Sequence, residues 1–147
     1  MPTCSPYLYF DGNAAEAMRT YERVLGGELK MLRYADGPPS NEPPPPGCEV
    51  TDTQRVMHAC LTFDGGFIMC SDAPNSKMVE PVGGISVNLM FDEAEKGRKV
   101  FEALSEGAQV QMPYAPTFWA DGFGMLKDRF GISWMVNGGQ REVPEKG

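Results

Sequence analysis

Pro6-Tyr7-Leu8-Tyr9-Phe10-Asp11-Gly12 returns later in the chain as a strand from Ile85 to Phe91 followed by Asp92, with Leu8, Phe10 and Asp11 matched by Leu89, Phe91 and Asp92. Each stretch alternates and is stopped by an acidic residue, as in a strand with one buried face. A helix is predicted after each. Asn13 precedes Glu16 by three, and Asp92 precedes Glu95 by three, the spacing of a capping pair. Ala14, Met18, Tyr21 and Leu25 form the first apolar stripe, and Ala94, Phe101 and Leu104 the second. Gly26-Gly27 and Gly107 end these helices, since glycine takes the left-handed terminal conformation without steric cost. The match continues beyond them, with Phe101, Gly107 and Tyr114 in the places of Tyr21, Gly27 and Tyr34.

Three further strands are predicted in each half. In the first they are 28–34, 55–63 and 67–70, with Asp64-Gly65-Gly66 as a hairpin turn. In the second they are 108–112, 123–126 and 132–136, with a turn at Asp128-Arg129-Phe130-Gly131. The expected fold is therefore α+β: a single domain over 1–147, made of βαβββ modules at 5–70 and 85–137. A unit with its helix on one sheet face leaves the other face to line a cavity, so the paired modules are expected to form a curved mixed sheet around one. Residues 35–54, with Asp36-Gly37-Pro38-Pro39 and Pro43-Pro44-Pro45-Pro46-Gly47, cannot sustain a ladder, because proline lacks the N–H and fixes φ. This long loop is read as a pocket lid or edge rather than a site for a proline-binding module.

Composition removes whole classes of function. Thirteen basic against twenty acidic residues give a net charge of −7, which repels a phosphate backbone and argues against nucleic acid as a partner. No apolar run reaches membrane-spanning length, and Met1-Pro2-Thr3-Cys4 has neither basic segment nor apolar core of a secretion signal. Cys4, Cys48, Cys60 and Cys70 form no CxxC pair, so a reducing, cytoplasmic setting is expected. No glycine loop cradles a phosphate, no serine or cysteine carries a local nucleophile signature, and Glu16, Glu93 and Glu95 are accounted for by helix starts.

At Pro6-Tyr7-Leu8-Tyr9-Phe10, Ala15-Glu16-Ala17, Tyr21, Gly26-Gly27, Met57-His58-Ala59, Ser71-Asp72-Ala73-Pro74 and Phe118-Trp119 through Asp128-Arg129-Phe130-Gly131-Ile132-Ser133-Trp134, the chain resembles the PhnB-like branch of the vicinal oxygen chelate superfamily. That superfamily includes glyoxalase I, bleomycin and fosfomycin resistance proteins and extradiol dioxygenases. Members of the branch often carry a demethylubiquinone methyltransferase-like name. Nothing in this sequence independently supports methyl transfer, since no glycine-rich turn opens a parallel cofactor-binding sheet.

The resemblance implies a divalent-metal site built from the first and last strands of each half. The corresponding positions here are at or near Ser5 and Tyr7, Ser86 and Asn88, Met69, and Met135. None is a strong ligand for zinc or iron, which want His, Cys or carboxylate, so no metal and no other cofactor is expected. Homodimerisation is also implied, with modules pairing either within the chain or across the dimer.

The remaining candidates are local. His58 is the only histidine and so the only candidate for imidazole proton transfer; it shares a strand face with Cys60 and Thr62, opposite Met57, Ala59, Leu61 and Phe63. Tyr7, Tyr9 and Asn88 are expected on a groove-facing side that orients a small ligand, with Trp119 and Phe123 as an aromatic rim beside Phe118. Asp72 and Asp128 are read as acceptors for backbone N–H groups at turns, and Arg129 as a hairpin salt bridge or an anion contact. The functional expectation is a small-molecule-binding protein, or an enzyme of unassigned reaction, lacking the usual metal. A metal-dependent glyoxalase- or dioxygenase-type lyase or isomerase, and a stoichiometric drug-sequestering protein, are the alternatives.

Overall fold

The computed structural model describes residues 2–37 and 41–143. Pro38 and Pro39 of the proline-rich loop lie outside these residues, as does Met1. The chain divides into two compact units, Met1–Pro81 and Val82–Gly147.

The first unit contains β1 (Tyr7–Phe10), α1 (Ala14–Leu25), β2 (Glu28–Arg33), β3 (Val56–Phe63) and β4 (Gly66–Asp72). Its sheet runs β1-β4-β3-β2, with β1 parallel to β4 and the other pairs antiparallel. Leu8, Phe10, Ala59, Leu61, Ile68 and Cys70 alternate onto one face, and α1 covers it with Ala14, Ala17, Met18 and Tyr21. Leu25, expected in that stripe, is only half-buried at the end of the helix. Burying a side chain as large as Tyr21 contributes about 2 kcal/mol.

The second unit repeats the plan with β5 (Val87–Phe91), α2 (Ala94–Leu104), β6 (Gln109–Ala115), β7 (Ala120–Lys127) and β8 (Ser133–Gln140), in the order β5-β8-β7-β6. Again the first strand is parallel to the last. Leu89, Phe101, Leu104, Leu126, Trp134 and Val136 form its core. The strands thus make two four-stranded mixed sheets, one in each unit.

Several local expectations change. Among the described residues no donor on the first turn of α1 bonds the Asn13 side chain. The cap is supplied from β4, where Asp72 Oδ1 accepts from the N–H groups of Gly12 (2.8 Å) and Ala14 (3.0 Å). Asp72 Oδ2 accepts from Val56 N–H at 2.8 Å, so one carboxylate joins the start of α1, β3 and β4. In the second unit the helix begins after Glu93, and Asp92 holds Lys96 at 3.1 Å instead of capping.

β7 starts three residues before the predicted boundary, at an Ala-Asp-Gly run with weak strand propensity. Tertiary packing explains it. The Tyr114 ring lies where a methyl group on Gly122 would stand, and its hydroxyl lies where methyl groups on Gly97 and Gly138 would stand. That hydroxyl donates to Ala94 O at 2.7 Å. Only residues without a side chain leave room for this crossing. Burial raises the Tyr114 phenol above its ordinary value, and it does the same to its counterpart Tyr34, whose hydroxyl donates to Asp72 O.

All four cysteines are free. Burial pushes the Cys70 thiol up to about 12, with smaller contributions from Asp72 and Cys60. A raised thiol value means that the neutral form is the one the fold holds. Its contribution is complete below the ordinary thiol value near 9 and is lost as pH rises from there through about 12. Thiol titration at pH 8 is expected to modify exposed Cys4 rapidly and Cys70 only after denaturation. Rapid modification of Cys70 in the folded protein would contradict this packing.

Candidate functional site

In the first unit the face of the sheet away from α1 is open. The register sets Tyr7 beside Met69, Met69 beside Cys60, Tyr9 beside Ser71 and Leu32 beside His58. Residues opposite one another on neighbouring strands share a face, so these side chains form one surface. Tyr7 and Tyr9 are 37% and 62% exposed, whereas Leu8 and Phe10 between and after them are buried. The tyrosine rings lie 5.2 Å apart at 43°. Tyr7 reaches across β4, bringing its hydroxyl within 3.1 Å of His58 Nδ1 and its ring within 5.8 Å of the imidazole.

Just before His58 the ladder carries an irregularity invisible in the sequence pattern. Leu32 pairs with His58 but Arg33 pairs with Val56, so Met57 is an extra residue on β3. This bulge turns Val56 wholly inward while His58, Cys60 and Thr62 stay on the open face. Bulges re-aim side chains in this way, at the cost of one unpaired position in the ladder. Strict alternation would have put Val56 and His58 together.

The second unit has a different chemistry at the equivalent place. Asn88 pairs in register with Met135, and Met90 with Asn137. Asn137 Nδ2 donates to Asn88 Oδ1 at 2.6 Å. Asn137 was missed by the sequence reading, although its two-residue offset from Met135 on β8 was the available signal. Trp119 stacks edge-on with Phe118 (4.8 Å, 84°) and with Phe123 (5.1 Å, 70°). Phe123 is buried and Phe118 largely exposed, so the cluster is part packing and part surface. Trp134 belongs to the core, where its Nε1–H donates to Asp128 Oδ2 at 2.8 Å. Asp128 Oδ1 accepts from the N–H groups of Phe130 and Ile132, as expected of a turn carboxylate. The Arg129 guanidinium lies over the Phe130 ring at 4.5 Å.

The candidates therefore gather into Tyr7, Tyr9 and His58 in one unit, and Trp119 with Phe123, and Asn88 with Asn137, in the other. A groove of about 290 Å³ in the first unit, lined by Gly47, Glu49, Thr51, Asn75, Ser76 and Lys77, shares no residue with the Tyr7–His58 face. Its Asn75 side chain is engaged by Gly47 O, Glu49 O and Lys77 N–H, which ties the proline-rich loop to the segment after β4.

The positions implied for a divalent ion do not fit one. In the first unit they offer a phenol already bonded to His58 and a thioether; in the second, an amide whose oxygen accepts from Asn137 and another thioether. Ser5 and Ser86 lie ahead of the strands. A one-residue slip brings in Leu8, Cys70, Leu89 and Val136, which are core. Among the described residues no three His, Cys, Asp or Glu side chains come together as a metal would require. Hard divalent ions prefer oxygen and imidazole donors to thioethers.

Residues 2–137 match the model of the family described as 3-demethylubiquinone-9 3-methyltransferase. The chain belongs to this family. Its two βαβββ units share the fold of solved glyoxalase/bleomycin resistance/dioxygenase proteins that are 13% and 15% identical to it. The chain is 36% identical over 139 residues to protein YjdN of Escherichia coli, covering 90% of this chain and 92% of that one. It is 40% identical to the crystal structure of protein PA1353 from Pseudomonas aeruginosa, with a TM-score of 0.80 over 96% of this chain and 100% of the other. A putative 3-demethylubiquinone-9 3-methyltransferase, PhnB protein, from Bacillus cereus is 24% identical with a TM-score of 0.72, covering 93% and 99% of the two chains, and shares the fold.

Proposed function

We propose that this protein binds a small organic molecule without the superfamily's divalent ion; the candidate contacts are Tyr7, Tyr9 and His58 on the open sheet face of the first unit and, taken separately, Asn88, Trp119 and Phe123 in the second. The observation that carries this reading is the Tyr7–His58 hydrogen bond, placed beside Met69 at a position for which the resemblance implies a metal ligand. Polar and aromatic groups stand there in place of a Lewis acid, a combination suited to orienting a ligand.

Methyl transfer has less support in the fold. Each sheet has one parallel strand pair and no run of parallel strands with alternating helices to hold a cofactor. No helix among the described residues is long and apolar enough to cross a membrane. Homodimerisation and a cytoplasmic setting complete the proposal.

A thermal-shift screen of small molecules tests it. Hits are expected to raise the melting temperature of the wild-type protein and to lose their effect in His58→Ala or Asn88→Ala. Hits that stabilise both variants as well as the wild type would place the ligand elsewhere. For a hit confirmed in this way, consumption during incubation separates an enzyme from a sequestering protein.

A further inference from the structure

The contact between Tyr7 and His58 has a direction, and the direction decides what His58 offers a ligand. At 3.1 Å the phenol oxygen and Nδ1 share one proton between them. A phenol is the better acid and an imidazole nitrogen the better base, so in the neutral pair the hydroxyl donates and Nδ1 accepts. Neutral imidazole carries a single N–H, and with Nδ1 accepting it is Nε2 that bears the hydrogen. Three features of the fold hold the ring in this state. Tyr7 spans β4 to reach it, Tyr9 packs against Tyr7, and regular alternation from His58 to Thr62 sets His58 on the open face of β3.

Resting on the ligand-binding reading above, we infer that Tyr7 is a positioning residue that fixes His58 as a hydrogen-bond donor through Nε2, and that the ligand is a small aromatic molecule bearing a carbonyl oxygen. With Nδ1 occupied and Nε2 protonated, neutral His58 has no free lone pair to act as a base. Accepting the phenol's bond also draws electron density from the ring and strengthens Nε2–H as a donor. The exposed Tyr7 and Tyr9 rings supply the aromatic contact beside it. A carbonyl oxygen is the complementary acceptor, and it needs no charge in a chain of net −7.

His58 is the only histidine, so nitrogen-15 labelling of histidine gives a single imidazole to observe. In the ligand-free protein at alkaline pH, long-range proton–nitrogen spectra are expected to show the hydrogen on Nε2. The unprotonated Nδ1 resonance is expected to move downfield in Tyr7→Phe, as its hydrogen bond is lost. A hydrogen on Nδ1 in the wild type, or no movement in Tyr7→Phe with near-ultraviolet circular dichroism unchanged, overturns the positioning role.

Acetophenone and its isostere α-methylstyrene then test the ligand class. Acetophenone is expected to shift the Nε2–H signal and to bind Tyr7→Phe about five-fold more weakly, while α-methylstyrene leaves that signal in place. Equal responses to both, or none to acetophenone, overturn the carbonyl assignment. If other screened compounds still depend on His58, the binding reading stands; if none does, that reading falls as well.

Discussion

Asp72→Ala is expected to destabilise the protein by about 4 kcal/mol, because it strips the acceptor from three backbone donors at once, two of them, Ala14 and Val56, buried. The carboxylate is 1% exposed and accepts from Gly12, Ala14 and Val56. Each unsatisfied buried N–H costs about 1–3 kcal/mol, partly offset where water reaches the cavity left by the side chain. In a chain of this size the loss corresponds to a fall of roughly 10 °C in melting temperature. Asp72→Asn separates charge from shape: one carboxylate oxygen becomes an NH2 that cannot accept, so a smaller but still clear loss is expected. Thermal denaturation followed by circular dichroism reads both. A fall of only a degree or two in Asp72→Ala would mean that the start of α1 is held by something other than this cap.

Gly122→Ala is expected to cost about 2–3 kcal/mol, the scale of overpacking in a filled interior. The new methyl group would overlap the Tyr114 ring, which Arg98 covers on one side at 5.1 Å and Phe101 flanks at 5.6 Å. The ring is also tethered by its hydroxyl to Ala94 O. It therefore cannot swing away without breaking contacts. Tyr114→Ala alone removes packing and a hydrogen bond, but in its presence the glycine substitution should become nearly neutral. A double-mutant cycle reads this coupling directly, and additive effects of the two substitutions would place the strain outside Tyr114.

These two cases also mark how far the sequence can be read. The repeated Leu-x-Phe-Asp element, the helix stripes and the glycine stops specify a βαβββ unit twice, because strand and helix periodicities are local properties of the chain. The open-face alternation of Tyr7 with Tyr9, and of His58 with Cys60 and Thr62, follows from the same period of two. What escaped was non-local. Capping by Asp72 arrives from the far end of the module, so Asn13 looked like the cap. The early start of β7 depends on a tyrosine from β6 crossing three glycines. The Met57 bulge appears only when β2 and β3 are paired, and Asn137 gains interest only from its contact with Asn88.

The same distinction applies to function. The absence of strong metal ligands at Tyr7, Met69, Asn88 and Met135 could be read from residue types alone. That two of these positions have their polar atoms already engaged, by His58 and by Asn137, required coordinates. The pairing turns a missing donor set into a different kind of surface in each unit, with a phenol–imidazole pair in the first and an amide pair in the second.

The central claim is that this surface works without a divalent ion. Elemental analysis of protein purified without chelator, paired with calorimetric titration of manganese, nickel and zinc, tests it most directly. The account predicts no stoichiometric ion and no binding that depends on His58. One tightly bound ion per chain, lost in His58→Ala, would contradict it.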